Sequence, residues 1–248
     1  MPHDPTPLRP HPLLTHYYAD EDSRRRQVLS WFDDSAADYD WINQAMSFGS
    51  GSRYRRQALL RAGLAPGMKA LDVACGTGAV TTSVQEIAGP GGRALGLDPS
   101  TGMLLQARRH AVRRLVRGVA EALPFPDGWF DFLSMGYALR HVTDLRRTFE
   151  EYHRVLAPGG RLLILEVTPP RSRLPFFLLE LYLGRIIPLV ARLGRGGRTS
   201  RDLMRYYWET IEQCVPPPVI LAALAEAGFK QVERHVEMAI FSEYVAVR

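Results

Sequence analysis

KALDVACGTGAVTTSVQEIAGPGGRALGLD, residues 69–98, holds the pattern that decides the fold. KALDV is an apolar run of strand length, and RALGLD, residues 93–98, is a second. AVTTSVQEIAG between them has helical periodicity and a stop at Gly89. The turn into that helix, Cys75 to Gly78, places two glycines around a threonine. Strand, glycine turn, helix, strand is a βαβ unit, and its two strands must run parallel.

The alternation continues downstream. STGMLLQARRHAVRRL reads as a helix with Ser100 as its N-cap. RLVRGVA is a weak third strand and FDFLSMG a fourth. DLRRTFEEYHRVLAPGG is a helix closed by proline and glycine, and RLLILEV is a strong fifth strand. A last helix, VILAALAEAG, stops at Gly228. QVERHVEM and FSEYVAV lie too close together for a helical crossover and must pair antiparallel. The expected fold is therefore α/β, a doubly wound, seven-stranded, mainly parallel sheet with an antiparallel C-terminal hairpin.

Upstream, residues 24–63 read as three helical segments, RRRQVLSWF, DYDWINQAM and SRYRRQALLRAG, the last stopped by Gly63. Residues 1–22 are proline-rich and read as a loose or disordered tail, without the apolar stretch of a secretory signal. Residues 23–248 then form one domain, in which 169–215, rich in leucine, aromatics and arginine, is a helical lid insertion.

Composition narrows the functional class. The chain of 248 residues is 46% hydrophobic and 23% charged, enough to bury a core without staples. Its two cysteines, Cys75 and Cys214, have no metal-like spacing, which points to a reducing cytoplasm and to neither a disulfide framework nor a metal site. Lys69 and Lys230 are the only lysines behind the net charge of +5. The arginine clusters at 24–26, 108–117 and 192–205 read as solvated helix faces, or as attraction to an anionic partner. Aromatics are not interleaved with the 108–117 cluster, so nucleic acid is not the expected partner.

Three ligands compete for the glycine turn. A Walker loop needs Gly-Lys-Ser/Thr, and there is no lysine. A dinucleotide fingerprint needs a third glycine, where Thr81 stands. Asp98 closes the second strand, in the position where a carboxylate meets the two hydroxyls of an adenosine ribose. Asp72, before the turn, can orient the loop amides or meet an ammonium group. A loop without a basic residue suits a zwitterionic amino-acid tail better than a pyrophosphate. S-adenosylmethionine (SAM) has that tail and that ribose.

LDVACGTG, GLDPSTGML, AEALPFPDGWFD, ALRHVTDL and RVLAPGGRLLILE together resemble a class I SAM-dependent methyltransferase. More narrowly, with YDWINQAMSFGSGSRYRR upstream, they resemble the ubiquinone/menaquinone-biosynthesis C-methyltransferase family over roughly residues 28–230. The resemblance implies the seven-stranded fold, SAM as methyl donor and no metal. It implies SAM contacts from Asp72, Ala74, Gly76, Thr77 and Gly78 around the glycine turn, and from Asp98, Pro99 and Met103 after the second strand. Met103 reads equally as ordinary helix-to-sheet packing. Val119, Ala120 and Glu121 would lie by the adenine, and Gly136 under the sulfonium. The sequence departs from the family at Val119 and Gly136, where a polar residue is usual, and at Ala79, often an aspartate.

A ring carbon attacks a methyl group well only when a neighbouring hydroxyl gives up its proton. His141, after the fourth strand, is a suitable base or substrate contact. Arg140 would stabilise the developing oxyanion. The family generally has Arg-Asn where Arg140-His141 stand. Tyr39, Tyr137, Tyr206 and Trp208 are candidate aromatic surfaces for a lipophilic or aromatic acceptor, or equally core. In LPFFLLELYLGRIIPLVARL, residues 174–193, Glu180, Arg185, Pro188 and Arg192 interrupt a run long enough to span a bilayer. Core helices or a lid, with or without shallow membrane contact, fit it better. The readings to be separated are a small-molecule C-methyltransferase, an O- or N-methylating relative, a nucleic-acid enzyme, a relative transferring another group from SAM, and a non-catalytic module on this fold.

Overall fold

A computed structural model describes residues 6–47, 50–193 and 197–248, without the side chains of 45–47. The Met-Ser-Phe-Gly part of the family-like segment, residues 46–49, thus lies outside the described side chains. Among the described residues, seven strands form one sheet in the order β3-β2-β1-β4-β5-β7-β6. They are β1 (Lys69–Val73), β2 (Arg93–Asp98), β3 (Leu115–Arg117), β4 (Phe130–Gly136), β5 (Leu156–Val167), β6 (Lys230–Glu237) and β7 (Phe241–Val247). The first five are parallel, and β7 runs antiparallel to both β5 and β6, as expected.

Strand alternation distributes the core. Leu71, Val73, Leu133, Met135, Leu162 and Ile164 face one side, with Phe149 and Tyr152 of helix α5 (Leu145–Val155) and Leu224 of α9 (Pro217–Glu226). Ala70, Phe132, Leu163 and Leu165 face the other, with Leu59 of α2 (Gly51–Arg61) and Val84 and Ile87 of α3 (Ala79–Ala88). Burial on both faces is why these strands read as continuous apolar runs. Edge strand β6 carries Lys230, Glu233, Arg234 and Glu237, which blunt its exposed edge.

Two expectations change at the N-terminus. The segments read as separate helices over 24–47 form one helix, α1 (Glu21–Ser47). Asp33, Asp34 and Ser35 are poor helix-interior residues, but partners elsewhere stabilise the uninterrupted turn. Asp33 Oδ1 accepts from Ser100 Oγ (2.6 Å) and from the Gly102 amide (2.8 Å), at the start of α4 (Thr101–Arg109). Asp20 and Ser23 bond reciprocally and start α1.

The described part of the expected loose tail, residues 6–20, is instead a docked strap. Its Leu8 amide donates to Asp144 and its Leu8 carbonyl accepts from the Leu145 amide. Pro10 O accepts from Val215, and His11, Leu14 and Tyr18 are buried. Paired backbone and buried apolar surface outweigh the proline-rich composition.

The insertion is helical, as expected: α6 (Arg173–Leu179), a π-helical stretch (Glu180–Ile186), α7 (Ile187–Ala191) and α8 (Gly197–Glu212). Leu183, Ile187 and Ala191 pack with Leu203, Met204, Tyr207 and Ile211 of α8 in a third, aromatic-rich cluster that also takes in Leu14, Tyr18 and Ile42. This cluster stands over the end of the sheet where β4 and β5 stop.

Candidate active site

Sharp turns follow β1 and β4. Ala74 (φ 54°) and Tyr137 (φ 61°) both adopt the left-handed region that non-glycine residues avoid. Such strain at adjacent strand ends, where open α/β sheets form their ligand crevice, marks a functional edge. The glycine turn lies there with φ of 54° at Gly76 and 87° at Gly78. A Cβ at Gly76 would meet nothing within 4 Å, so this face of the loop stands clear for a ligand.

Two buried carboxylates flank the turn. Asp98 Oδ2 accepts from the Gly76 amide and Oδ1 from the Ser100 amide, both at 2.8 Å. Asp72 Oδ2 accepts from Thr81 Oγ1 (2.6 Å) and Oδ1 from Ser134 Oγ (2.7 Å). Asp72 therefore anchors α3 and β4 to β1, and does not bond the loop amides. Burial lifts both carboxyl groups from 3.8 to about 6, against the pull of these donors. Two acidic groups beside a clear glycine loop suit a sulfonium with a ribose and an amino-acid tail, and this donor set fits SAM.

Helix α1 covers this edge, which was not legible in the sequence. Thr77 Oγ1 donates to Asp40 (2.6 Å), and His110 pairs with Asp40 and with the Thr77 carbonyl. The Thr77 hydroxyl is thus held by α1. Phe32-Asp33 and Tyr39-Asp40 are seven residues apart, two turns on one face of a helix. That repeat is the signal that was available once α1 is read as unbroken.

The other cofactor candidates divide. Gly136 needs to be small because its Cβ would lie 2.9 Å from Val80 of α3. Met103 is buried on α4, its amide capped by Ser100 Oγ, in line with the packing reading. Pro99 offers its carbonyl to Arg117. Val119 is exposed and Ala120 buried. The Glu121 carboxylate instead accepts from the Thr143 amide (2.7 Å) and hydroxyl (2.9 Å). Glu121 therefore fixes the segment after His141, a correction to its expected place by the adenine.

Arg140 also departs from expectation. It is fully buried, and its Nε donates to Glu166 at 2.9 Å. Nη1 donates to Tyr207 O and Thr210 Oγ1, and Nη2 to Tyr137 O. Its guanidinium carbon lies 4.2 Å from the centroid of the Tyr207 ring. With its donors committed to protein acceptors, Arg140 ties β4, β5 and α8 together and is not placed to stabilise an oxyanion.

His141 follows on a short 3₁₀ turn, between Phe32 (ring centroids 5.3 Å) and Tyr206 (5.6 Å, stacked). Both ring nitrogens are buried and unpartnered. Burial, with Arg140 and Arg24 nearby, holds the imidazole far below its ordinary 6.5, so it is neutral at pH 7. Tyr39 and Tyr137 are half-buried near Tyr207, Tyr39 beside Phe32. Trp208 lies apart, against Gly184 and Phe176 inside the insertion. The structure thus gathers His141, Tyr206, Tyr39 and Tyr137 near the sheet edge and leaves Trp208 among the helices of the insertion. Arg24 was missed: its Nη2 donates to the carbonyls of Arg140 and Val142, holding the His141 turn from α1.

The sign of the Asp72 shift fixes a stability test. A carboxyl whose pKa is higher in the folded protein favours folding below about 3.8 and loses that contribution as the pH rises through about 6. Ionised Asp72 then costs roughly 3 kcal/mol. Asp72→Asn should gain urea stability over the parent at pH 8 and gain little at pH 4. A difference that does not change with pH would contradict the burial account.

Residues 20–245 match the ubiE/COQ5 methyltransferase family. The demethylmenaquinone methyltransferase of Symbiobacterium thermophilum is 34% identical over 228 residues, 88% of this chain and 90% of that protein. The ubiquinone/menaquinone biosynthesis C-methyltransferase UbiE of Shewanella woodyi is 33% identical over 232 residues, 90% of this chain and 91% of its own length. A solved SAM-dependent methyltransferase of Thermotoga maritima, described as a possible histamine N-methyltransferase, shares the fold. Its TM-score is 0.62 at 19% identity, over 88% of this chain and 98% of that one. With its glycine turn, paired carboxylates and sheet order, the chain belongs to the ubiE/COQ5 methyltransferase family and is a SAM-dependent methyltransferase.

Proposed function

We propose that the chain methylates a ring carbon of a small lipophilic aromatic acceptor that carries a hydroxyl group, of quinol type. His141 carries this reading, as a neutral, half-buried imidazole whose two nitrogens are buried and unpartnered, walled by Phe32 and Tyr206. The names of the two relatives supply the acceptor class. SAM, when bound, supplies a methyl group on a cationic sulfur; transfer forms a carbon–carbon bond and leaves the old bond's electron pair on sulfur. Asp98 binds the ribose hydroxyls, and α1 keeps water from the sheet edge. His141 takes the acceptor's hydroxyl proton as the ring carbon attacks. It returns that proton to the ring oxygen when the methylated carbon releases its own proton to solvent.

Asp98→Ala should weaken SAM binding at least tenfold by calorimetry, since hydrogen bonds to a charged group are worth about 1.5–3 kcal/mol. Unchanged affinity would remove Asp98 from the cofactor site. His141→Ala should lower kcat by ~10²–10⁴-fold with little change in SAM affinity. His141→Gln keeps a hydrogen bond but not the proton acceptor, and should not restore turnover. Because the imidazole titrates below 6.5, kcat/KM should stay level through neutral pH and fall only on the acid side. Normal turnover in both variants would assign catalysis to positioning alone.

The insertion supports a second element of the reading, that the enzyme works at a membrane surface. The run Arg173–Ala191 has a mean hydropathy of 1.7, and only 28% of it is buried. Leu174, Phe177, Leu178, Ile186, Leu189 and Leu193 stand exposed, most of them three or four residues apart along the run. Arg171, Arg173, Arg185 and Arg192 lie exposed among them. Apolar side chains interleaved with cations match an anionic lipid bilayer, where a lipophilic acceptor is dissolved. The enzyme should co-sediment with phosphatidylglycerol vesicles more than with phosphatidylcholine vesicles, and Phe177→Glu with Leu189→Glu should abolish this while keeping SAM affinity. No sedimentation of the parent with either vesicle would overturn this element.

A further inference from the structure

Arg55 of α2 is a charged side chain of the crevice that the reaction described above does not use. It precedes the buried Ala58 and Leu59 by three and four residues, so it leaves α2 on the face turned toward the sheet. There its charge acts on Tyr137 after β4, on Asp72 in β1 and on Asp40 of α1. Strands β1 and β4 are neighbours in the sheet, so Arg55 stands by their ends, next to the glycine turn.

The Nε of Arg55 is buried and closes no hydrogen bond. The nearby acids act on it through space, because they are engaged elsewhere. Asp72 takes Thr81 on one oxygen and Ser134 on the other. Asp40 takes the Thr77 hydroxyl and pairs with His110. Burial pulls the Arg55 guanidinium below its ordinary range, and Tyr137, Asp72 and Asp40 do not offset this. Other arginines at this edge behave differently: Arg140 pairs with Glu166, and Arg24 donates to the carbonyls of Arg140 and Val142. A cation drawn out of water without a bonded partner is explained by an anion that comes to meet it.

The rest of the edge narrows that anion. SAM brings one anionic group, the carboxylate of its amino-acid tail. Around the turn this group meets the side chains of Asp33, Asp40, Asp72 and Asp98, which repel it when ionised. The turn does not hold it as a phosphate loop would. The Gly76 amide already donates to Asp98 and the Gly78 amide to the Cys75 carbonyl, and Ala74 to Gly78 include no basic residue. A donor with its ribose on Asp98, at the end of β2, must cross the end of β1 to present its methyl group beyond β4. Its tail then lies on the side of the crevice where Arg55 stands.

We propose that Arg55 is the carboxylate anchor of the donor site, its guanidinium taking the carboxylate of the SAM amino-acid tail in a two-bond pair and so setting the sulfonium across the ends of β1 and β4. This rests on the ribose placement at Asp98 and is independent of the acceptor.

The probes are SAM and decarboxylated SAM, which keeps the adenosine, sulfonium and ammonium and lacks only the carboxylate. Each is titrated into the full chain by calorimetry. The parent should bind SAM at least tenfold more tightly than decarboxylated SAM. Arg55→Met, which keeps an unbranched stem and removes the charge, should weaken SAM binding at least tenfold. It should bind decarboxylated SAM as well as the parent does or better, because that ligand is doubly cationic and Arg55 repels it. Arg55→Lys keeps a point charge without the planar fork and should recover part of the lost SAM affinity. The thermal stability of Arg55→Met should equal or exceed that of the parent. A parent that binds the two ligands equally, or an Arg55→Met variant with parent-like SAM affinity, would overturn the anchor. Loss of both ligands together with lower stability would make Arg55 a structural residue and overturn it too. Asp98→Ala should weaken both ligands alike, since both carry the ribose. If it weakens neither while Arg55→Met loses SAM alone, the anchor stands and the ribose placement falls.

Discussion

One buried ion pair, Arg140 to Glu166, holds the upper end of this molecule together. Arg140 leaves β4 just after the strained Tyr137, and Glu166 lies near the end of β5. Glu166 also accepts from the Leu139 and Val167 amides, while Arg140 reaches across to Tyr207 and Thr210 of α8. Two charges taken out of water at this depth are tolerated only because so many of their hydrogen-bonding positions are filled. Removing either partner leaves an uncompensated buried charge, a loss of about 3–5 kcal/mol. The pair fixes the 3₁₀ turn that presents His141, and Arg24 clamps the same turn from the α1 side.

Beneath this, the sheet edge carries groups that oppose stability. Asp72 and Asp98 are ionisable groups buried side by side, Ala74 and Tyr137 hold unfavourable backbone angles, and His141 has no partner. In a protein held together by a few kcal/mol, such costs persist where a ligand recovers them. They cluster along one line, from the glycine turn across to the end of β4. Helix α1 and the strap close over that line, so the segment before β1 belongs to the site as much as the sheet does.

Much of the sheet was legible because it depends on local pattern. KALDV and RALGLD are the observed β1 and β2, residue for residue, and the short link between the last two strands dictated the antiparallel hairpin. Asp98 followed from its place after β2. What was not legible depends on partners distant in sequence. Asp33-Asp34-Ser35 looks like a helix break until Ser100 and Gly102 are seen to satisfy Asp33. TPLRPHPLL, residues 6–14, looks unstructured until Asp144 and Val215 are placed beside it. The resemblance puts Glu121 by the adenine, and the place of Arg140 beside His141 after the fourth strand suggests an oxyanion contact. Only the fold shows that protein groups already occupy them.

The account's central claim is that His141, set by the Arg140 turn and covered by α1, meets the acceptor's hydroxyl. A crystal structure of the complex with S-adenosylhomocysteine and 1,4-dihydroxynaphthalene tests this directly. The account predicts a ring nitrogen of His141 within hydrogen-bond reach of one acceptor oxygen, about 2.6–3.2 Å, and Asp98 on the ribose. An acceptor bound away from His141, with both its nitrogens still unpartnered, would contradict it.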